Sequence, residues 1–463
     1  MSSQPTKTKP ASASQTNQSS KKPGSLLRVL GVGFGLAVTI GGTIGMGILR
    51  TPGEVAAALP TPRLFLGVWL LGGIYALLGA VSVAELGAMI PRSGGWYVFV
   101  QRALGDYAGF VVGWSDWLST CGTLAVISLV VGEYLPALIP RLAGHDKGIA
   151  LVTVLLFAAL QWRGIRWGSF TQNVTSALKT LVFIVIAIAA FTFVADSVPA
   201  KPTVAPQGFA LFTATIIALR GVLYTYDGWY GVIYFGEEVR NPSRDVVRSM
   251  FGGVLLVTAI YLVVNAAYVY VLPMSRLAGE PFAAGAVANA LFGDYADKTI
   301  RVLAILSLLS TVNAYTLTSP RILYAMSCDR LFHHAGARVN RGGTPTVTLL
   351  ISTVAAGVFI IWGFSAVLAA LAFFFVANYT MAYISLIVLR WREPDLPRPY
   401  RAGGYPWTTA IVLIGSVIFL AGAVITDRIE HKPDSLYALA ILAASIPIYF
   451  VMRLASARMR QPD

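Results

Sequence analysis

Apolar residues along this chain come in long, nearly unbroken runs, not in the three-and-four spacing of a half-buried helix. Leu181–Val194, Gly253–Leu272 and Ala410–Ile425 carry no charge at all. With their flanks they approach the ~20 apolar residues a helix needs to cross a bilayer. Short polar segments separate the runs, and the pattern predicts an all-α integral membrane fold with twelve transmembrane helices. The spans fall at 28–58, 64–90, 106–136, 148–163, 170–197, 208–239, 246–273, 298–328, 346–362, 364–391, 404–427 and 434–455. Residues 1–27 are dominated by Ser, Thr, Gln, Lys and Pro and read as a disordered cytoplasmic tail, and 456–463 as a second tail.

Within this pattern two spans are interrupted. The first contains Gly41-Gly42-Thr43-Ile44-Gly45-Met46-Gly47-Ile48, with four glycines in seven positions. The sixth contains Tyr224-Thr225-Tyr226-Asp227-Gly228-Trp229-Tyr230-Gly231. Glycine costs about 1 kcal/mol per residue in a helix relative to alanine, so both read as breaks. They head two five-span repeats, 28–197 and 208–391, with helices 11 and 12 (404–455) left over. Five spans per half invert one half against the other, and matching breaks in inverted halves point to a transporter's central site. Small residues at Gly41 and Gly45 also fit a simple helix-packing face.

Composition agrees with the membrane assignment. Of 463 residues 56% are hydrophobic and 12% charged, against about 25% charged in an ordinary soluble domain. The net charge of +14 is not gathered on a basic face, so no nucleic-acid partner is expected. On the twelve-span topology 23 Lys and Arg lie on the side of both termini and 10 on the other, with Lys179 and Arg220 inside spans. The richer side faces the cytoplasm, so both termini are cytoplasmic and the protein is a multi-pass component of the cell (inner or plasma) membrane. Cys121 and Cys328 sit in apolar segments, and neither a metal site nor a disulfide-linked subunit is expected. His333 and His334 read as a solvated loop pair. No nucleotide loop, cofactor motif or catalytic dyad is visible, which points away from an enzyme.

A helix broken at the midplane leaves free N–H groups on one new end and carbonyls on the other. The first attracts a carboxylate and the second an ammonium or sodium ion. A free amino acid carries both kinds of group, so two facing breaks suit it, and the lipid bilayer is the only other partner this reading needs.

Several segments add a resemblance. Ile44-Gly45-Met46-Gly47-Ile48 resembles the span-1 signature of the amino acid–polyamine–organocation superfamily. Pro91 to Val98, Gly109 to Trp114, Tyr226 to Trp229, Glu237 to Pro242, and Asn313 through Ser319-Pro320-Arg321 are similar to its L-type amino acid transporter branch. The likeness covers about 28–455. It implies that the amides of Gly45, Met46 and Gly47 hold a substrate carboxylate and that the carbonyls of Thr43, Tyr224 and Asp227 receive the ammonium. It implies an aromatic gate at Tyr224 and a substrate-side tyrosine at Tyr268. Met46 departs from the serine common in the family, which leaves pocket polarity open.

Lys179, nine residues into span 5, matches the lysine that in sodium-independent members fills the space of a sodium ion and links helix 1 to helix 8. Carried over, it argues for sodium-independent exchange or proton-coupled uptake, with protons a further partner. A lysine snorkelling to an interface is the plainer alternative. Arg220 and Asp227 are two turns apart, one face of a continuous helix. Arg220 fits either an outer vestibule, with a gating role, or a packing ion pair. Glu237, Glu238, Arg240, Arg244 and Arg248 fit an inner gate joined by Arg92 or Arg102, or a headgroup anchor. Asp116 is an intramembrane acid without an obvious partner or role. The function expected is alternating-access transport of small neutral L-amino acids, with helix 1's inner half swinging away to release the ligand. A carrier of cationic amino acids or polyamines and a non-transporting amino acid sensor remain the rivals.

Overall fold

The computed structural model describes residues 25–192, 204–293, 295–362, 364–429 and 434–458. Among them there are sixteen α-helices, three short 3-10 turns and no strand. The helices are α1 Val32–Thr43, α2 Gly47–Ala58, α3 Pro62–Met89, α4 Trp96–Leu104, α5 Asp106–Leu138, α6 Asp146–Trp162, α7 Ile165–Thr192 and α8 Phe209–Tyr226. They continue as α9 Pro242–Val271, α10 Met274–Leu277, α11 Ala283–Phe292, α12 Tyr295–Cys328, α13 Thr346–Trp362, α14 Phe364–Arg392, α15 Trp407–Ile429 and α16 Asp434–Arg458. Nine are long and apolar enough to cross a membrane, or ten if α1 and α2 form one bent span. α6 and α13, at the predicted fourth and ninth spans, have 17 residues each and fall short of that length. The short helices α4, α10 and α11 were not foreseen, because each is too short for a span and lies in a predicted loop. The predicted tails lie mostly at 1–24 and 459–463, outside the described residues. Leu26, assigned to the tail, is buried.

The buried faces of these helices mix polar with apolar side chains, and the outward faces are largely apolar. α5 buries Ser115, Asp116, Ser119, Thr120, Thr123 and Ser128, and α12 buries Ser307, Ser310, Thr311, Asn313 and Thr316. Leu155, Leu156, Phe170, Leu181 and Ile188 stand exposed on α6 and α7. Lipid is as apolar as leucine, so close packing and hydrogen bonds, not burial of greasy surface, join such helices. Asn313 of α12 accepts from Gln161 of α6 at 2.5 Å and donates to Gln172 of α7 at 2.8 Å. Gln172 and Ser176 in turn donate to Ala37 O of α1 at 3.2 and 2.7 Å. That network fixes four helices around the break.

Burial grades from centre to rim. In their most apolar stretches α5 and α12 are each 72% buried, against 17% for α16. α5 and α12 pack on each other, α3 lies along α9, and α1 sits between α9 and α7. At one end of the bundle the segment before α1 pairs with the segment after α8. Leu30 N–H donates to Glu238 O at 2.9 Å and Arg240 N–H to Leu30 O at 2.8 Å.

Candidate functional site

α1 ends when Ile44 N–H bonds Ile40 O at 2.9 Å and Ile44 turns extended (φ −78°, ψ 91°). α2 starts at Gly47 and leaves at 46° to α1. The N–H groups of Gly45, Met46 and Gly47 meet no acceptor among the described residues. The carbonyl end, by contrast, is occupied. Lys179 of α7 is 2% exposed, so it does not snorkel. Its ammonium donates to Gly41 O at 3.1 Å, to Thr311 Oγ1 at 3.0 Å and to Ile44 O. All three protons of an ammonium thereby have an acceptor.

The second break is built differently. α8 stops at Tyr226, where Asp227 N–H still reaches Tyr224 O at 3.2 Å. No α-helix resumes. Gly228 turns into the left-handed region at φ +102°, which glycine adopts at no steric cost. A Cβ there would lie 2.7 Å from Gly42 C and 2.9 Å from Thr43 N, so the two breaks touch backbone to backbone. A 3-10 turn, Gly231–Tyr234, follows. Span 6 was expected to break here and resume as helix to 239. Glycine and tyrosine in place of good helix formers explain why it does not resume.

Between the breaks lies a cavity with about 350 Å³ of free space, its mouth included. The expected residues Thr43, Gly45, Met46, Gly47, Tyr224 and Asp227 line it, joined by Gly42, Thr123, Ile127, Thr225, Thr311, Tyr315 and Phe375. Asp227 is buried and meets no arginine or lysine among the described residues. Tyrosines surround it instead. Tyr230 donates to its two oxygens at 3.1 and 3.2 Å, Tyr315 donates at 3.4 Å, and Tyr379 also donates.

Three of the expected residues lie away from the cavity lining. Tyr268 lies outside the cavity lining, and its hydroxyl has no partner among the described residues. Tyr261, two turns earlier on α9 and likewise outside the lining, ties the two breaks together, with its hydroxyl 2.9 Å from both Thr43 O and Thr225 O. Ile44 does not line the cavity, and its carbonyl faces Lys179. Arg220 does not share a face with Asp227. It pairs at 3.6 Å with Asp427 of α15, the packing alternative, because Asp227 turns away at the break.

The charges at the far end also rearrange. Arg92 pairs with Asp329 at 2.8 Å and Arg102 with Glu393 at 2.7 Å, not with Glu237 or Glu238. Glu238 is closed off by Arg321, at 3.1 Å and with both side chains fully buried. Among the described residues no His, Cys, Asp and Glu group could hold a metal ion, and the cysteines are free. Tyr261, Tyr315 and Tyr379 were missed, since nothing local sets an intramembrane tyrosine apart until its neighbours are known.

A sequence profile described as Amino acid permease matches residues 34–446. The serine/threonine exchanger SteT of Bacillus subtilis (strain 168) is 29% identical, over 92% of this chain and 97% of its own length. The b(0,+)-type amino acid transporter 1 of Homo sapiens is 27% identical, over 93% and 89% respectively. The Asc-type amino acid transporter 1 of Mus musculus is 28% identical, over 92% and 81%.

Proposed function

With the chain belonging to the amino acid permease family, and so an amino acid transporter of the membrane, we propose that it carries small neutral L-amino acids by sodium-independent alternating access. The observation that carries this reading is the pair of touching breaks. Unbonded N–H groups of Gly45, Met46 and Gly47 face the cavity, as a substrate carboxylate requires. Lys179 already takes up the carbonyls where a sodium ion would otherwise bind, which supports sodium independence. The cavity is crowded by Tyr224, Tyr315 and Phe375, which supports a small side chain. SteT's designation as a serine/threonine exchanger points the same way.

In this reading α1 with α2, α3, α5, α6, α7, α8, α9, α12, α13, α14, α15 and α16 make twelve spans, in two inverted repeats of five plus two. Both termini are cytoplasmic and the membrane is the cell membrane. The amides of break one bind the carboxylate, and the ammonium sits toward Thr43, Tyr224 and Asp227. Tyr224 closes above. The bonds between Leu30 and the 238–240 segment favour a release step in which the inner half of helix 1 moves together with the chain after α8.

Counterflow into proteoliposomes preloaded with each amino acid in turn, with and without sodium, tests the proposal. Accumulation against internal serine, threonine or alanine, indifferent to sodium, is the expected result. Accumulation only against arginine, lysine or putrescine would support the cationic reading, which the cavity-lining carboxylate of Asp227 favours. Binding without flux would make the protein a sensor.

A further inference from the structure

Behind the substrate cavity lies a second, smaller cavity, with about 300 Å³ of free space, its mouth included, and room inside for about one water molecule. It shares Gly42 and Tyr315 with the first and adds Thr120, Tyr230, Tyr234 and Thr318. At its wall Tyr234 donates to Asp116 Oδ1 of α5 at 2.9 Å. Asp116 is 1% exposed, and its Oδ2 has no partner among the described residues. Ser119 and Thr120 donate to the Asp116 backbone carbonyl, at 2.9 and 2.7 Å, and leave the carboxylate alone.

We propose that Asp116 is a proton-binding site, and that closing over substrate requires a proton on its Oδ2. A buried carboxylate with one neutral hydrogen-bond donor and one orphaned oxygen is costly as an anion and tolerable as an acid. The groups facing it are Tyr230, Tyr234 and Asp227 from the second break, Tyr315 from α12 and Cys121 from its own helix. None brings a positive charge. Lys179 points elsewhere, toward Gly41, Ile44 and Thr311. The step is a simple binding: water on the acidic side gives a proton to the carboxylate, the carboxylic acid is buried as the cavities close, and the proton returns to water when the other side opens. Tyr230 joins the two cavities, because its hydroxyl holds Asp227, which lines the first, while Tyr230 itself lines the second.

This inference rests on the transport reading but fails separately from it. In proteoliposomes the wild type is expected to show counterflow that weakens as the pH rises on both sides. It should also accumulate substrate in unloaded vesicles when the outside is acid, by up to about tenfold per pH unit for one proton. Asp116→Asn, permanently neutral, is expected to keep counterflow with a flat pH profile and to lose acid-driven accumulation. If Asp116→Asn abolishes counterflow as well, Tyr234→Phe decides: a displaced pH profile supports the site and an unchanged one overturns it. Wild-type counterflow without acid-driven accumulation, or equal acid-driven accumulation in Asp116→Asn, overturns the proposal and leaves the transport reading standing. Absence of any wild-type counterflow removes the transport reading itself.

Discussion

The two breaks face each other across one cavity, yet they solve the problem of a free helix end in opposite ways. Break one keeps helix on both sides and spends its carbonyls on a buried lysine. Break two loses its helix beyond Tyr226 and surrounds an acid with tyrosine hydroxyls. A charged donor satisfies backbone carbonyls strongly and holds them in place. Neutral hydroxyls around a carboxylate are weaker and can rotate to other partners. Break one is therefore the fixed side of the cavity, and break two the adaptable one.

Substitutions can separate the two sides. The largest effect is expected at Gly228. Alanine there combines a φ of +102° with a Cβ 2.7 Å from Gly42 backbone, so Gly228→Ala should abolish uptake and lower expression. At Gly45 an added Cβ meets Thr311 Oγ1 at 3.5 Å, an ordinary contact, and Gly45→Ala should keep folded yield. Equal loss in both, read by size-exclusion profile and uptake, would show that the contact between the breaks is not what matters.

Next comes Lys179→Met. It takes the ammonium donor from Gly41 O and Thr311 Oγ1 and leaves Ile44 O only the hydroxyls of Ser307 and Thr311 at 3.4 Å, and a buried group left unpaired costs about 1–3 kcal/mol. Uptake should fall by about a hundredfold. Asp227→Asn, which can still accept from the tyrosines, should fall by about tenfold or less, chiefly through a raised KM. The reverse order would make break two the rigid side.

A smaller effect is expected on α9. Tyr261→Phe removes the hydroxyl between Thr43 O and Thr225 O and should weaken substrate affinity by about tenfold, or about 1.4 kcal/mol. Tyr268→Phe removes a hydroxyl with no partner among the described residues and should leave KM unchanged. Smallest of all is Arg220→Ala. Its partner lies on the peripheral α15 and its own side chain is 36% exposed, so a thermal-stability assay should register about 0–1 kcal/mol and uptake should be unaltered. A changed substrate range would return Arg220 to the vestibule.

Breaks were legible because glycine clusters act locally, through helix propensity, wherever they stand. Lys179 was legible for a related reason: a cation deep in an apolar run must meet acceptors. The choice between Tyr261 and Tyr268 was not. They stand seven residues apart on one helix, about 10 Å along its axis, and only the depth at which α9 lies against α1 selects the first. Arg220 and Asp227 mislead in the same way, since two-turn spacing means a shared face only where the helix continues.

The sequence alone determined that the chain is a helical membrane protein, where its helices break, and that Lys179 is a cation deep in an apolar run, because hydropathy, helix propensity and the cost of an unpaired charge depend on neighbours along the chain. Tertiary structure decided which carbonyls Lys179 meets, that tyrosines and not Arg220 attend Asp227, and that Asp116 keeps one oxygen without a partner among the described residues. Those outcomes depend on how far each helix slides and turns against the others. A hydrogen bond forms or fails over a fraction of an ångström, which no spacing along the chain records.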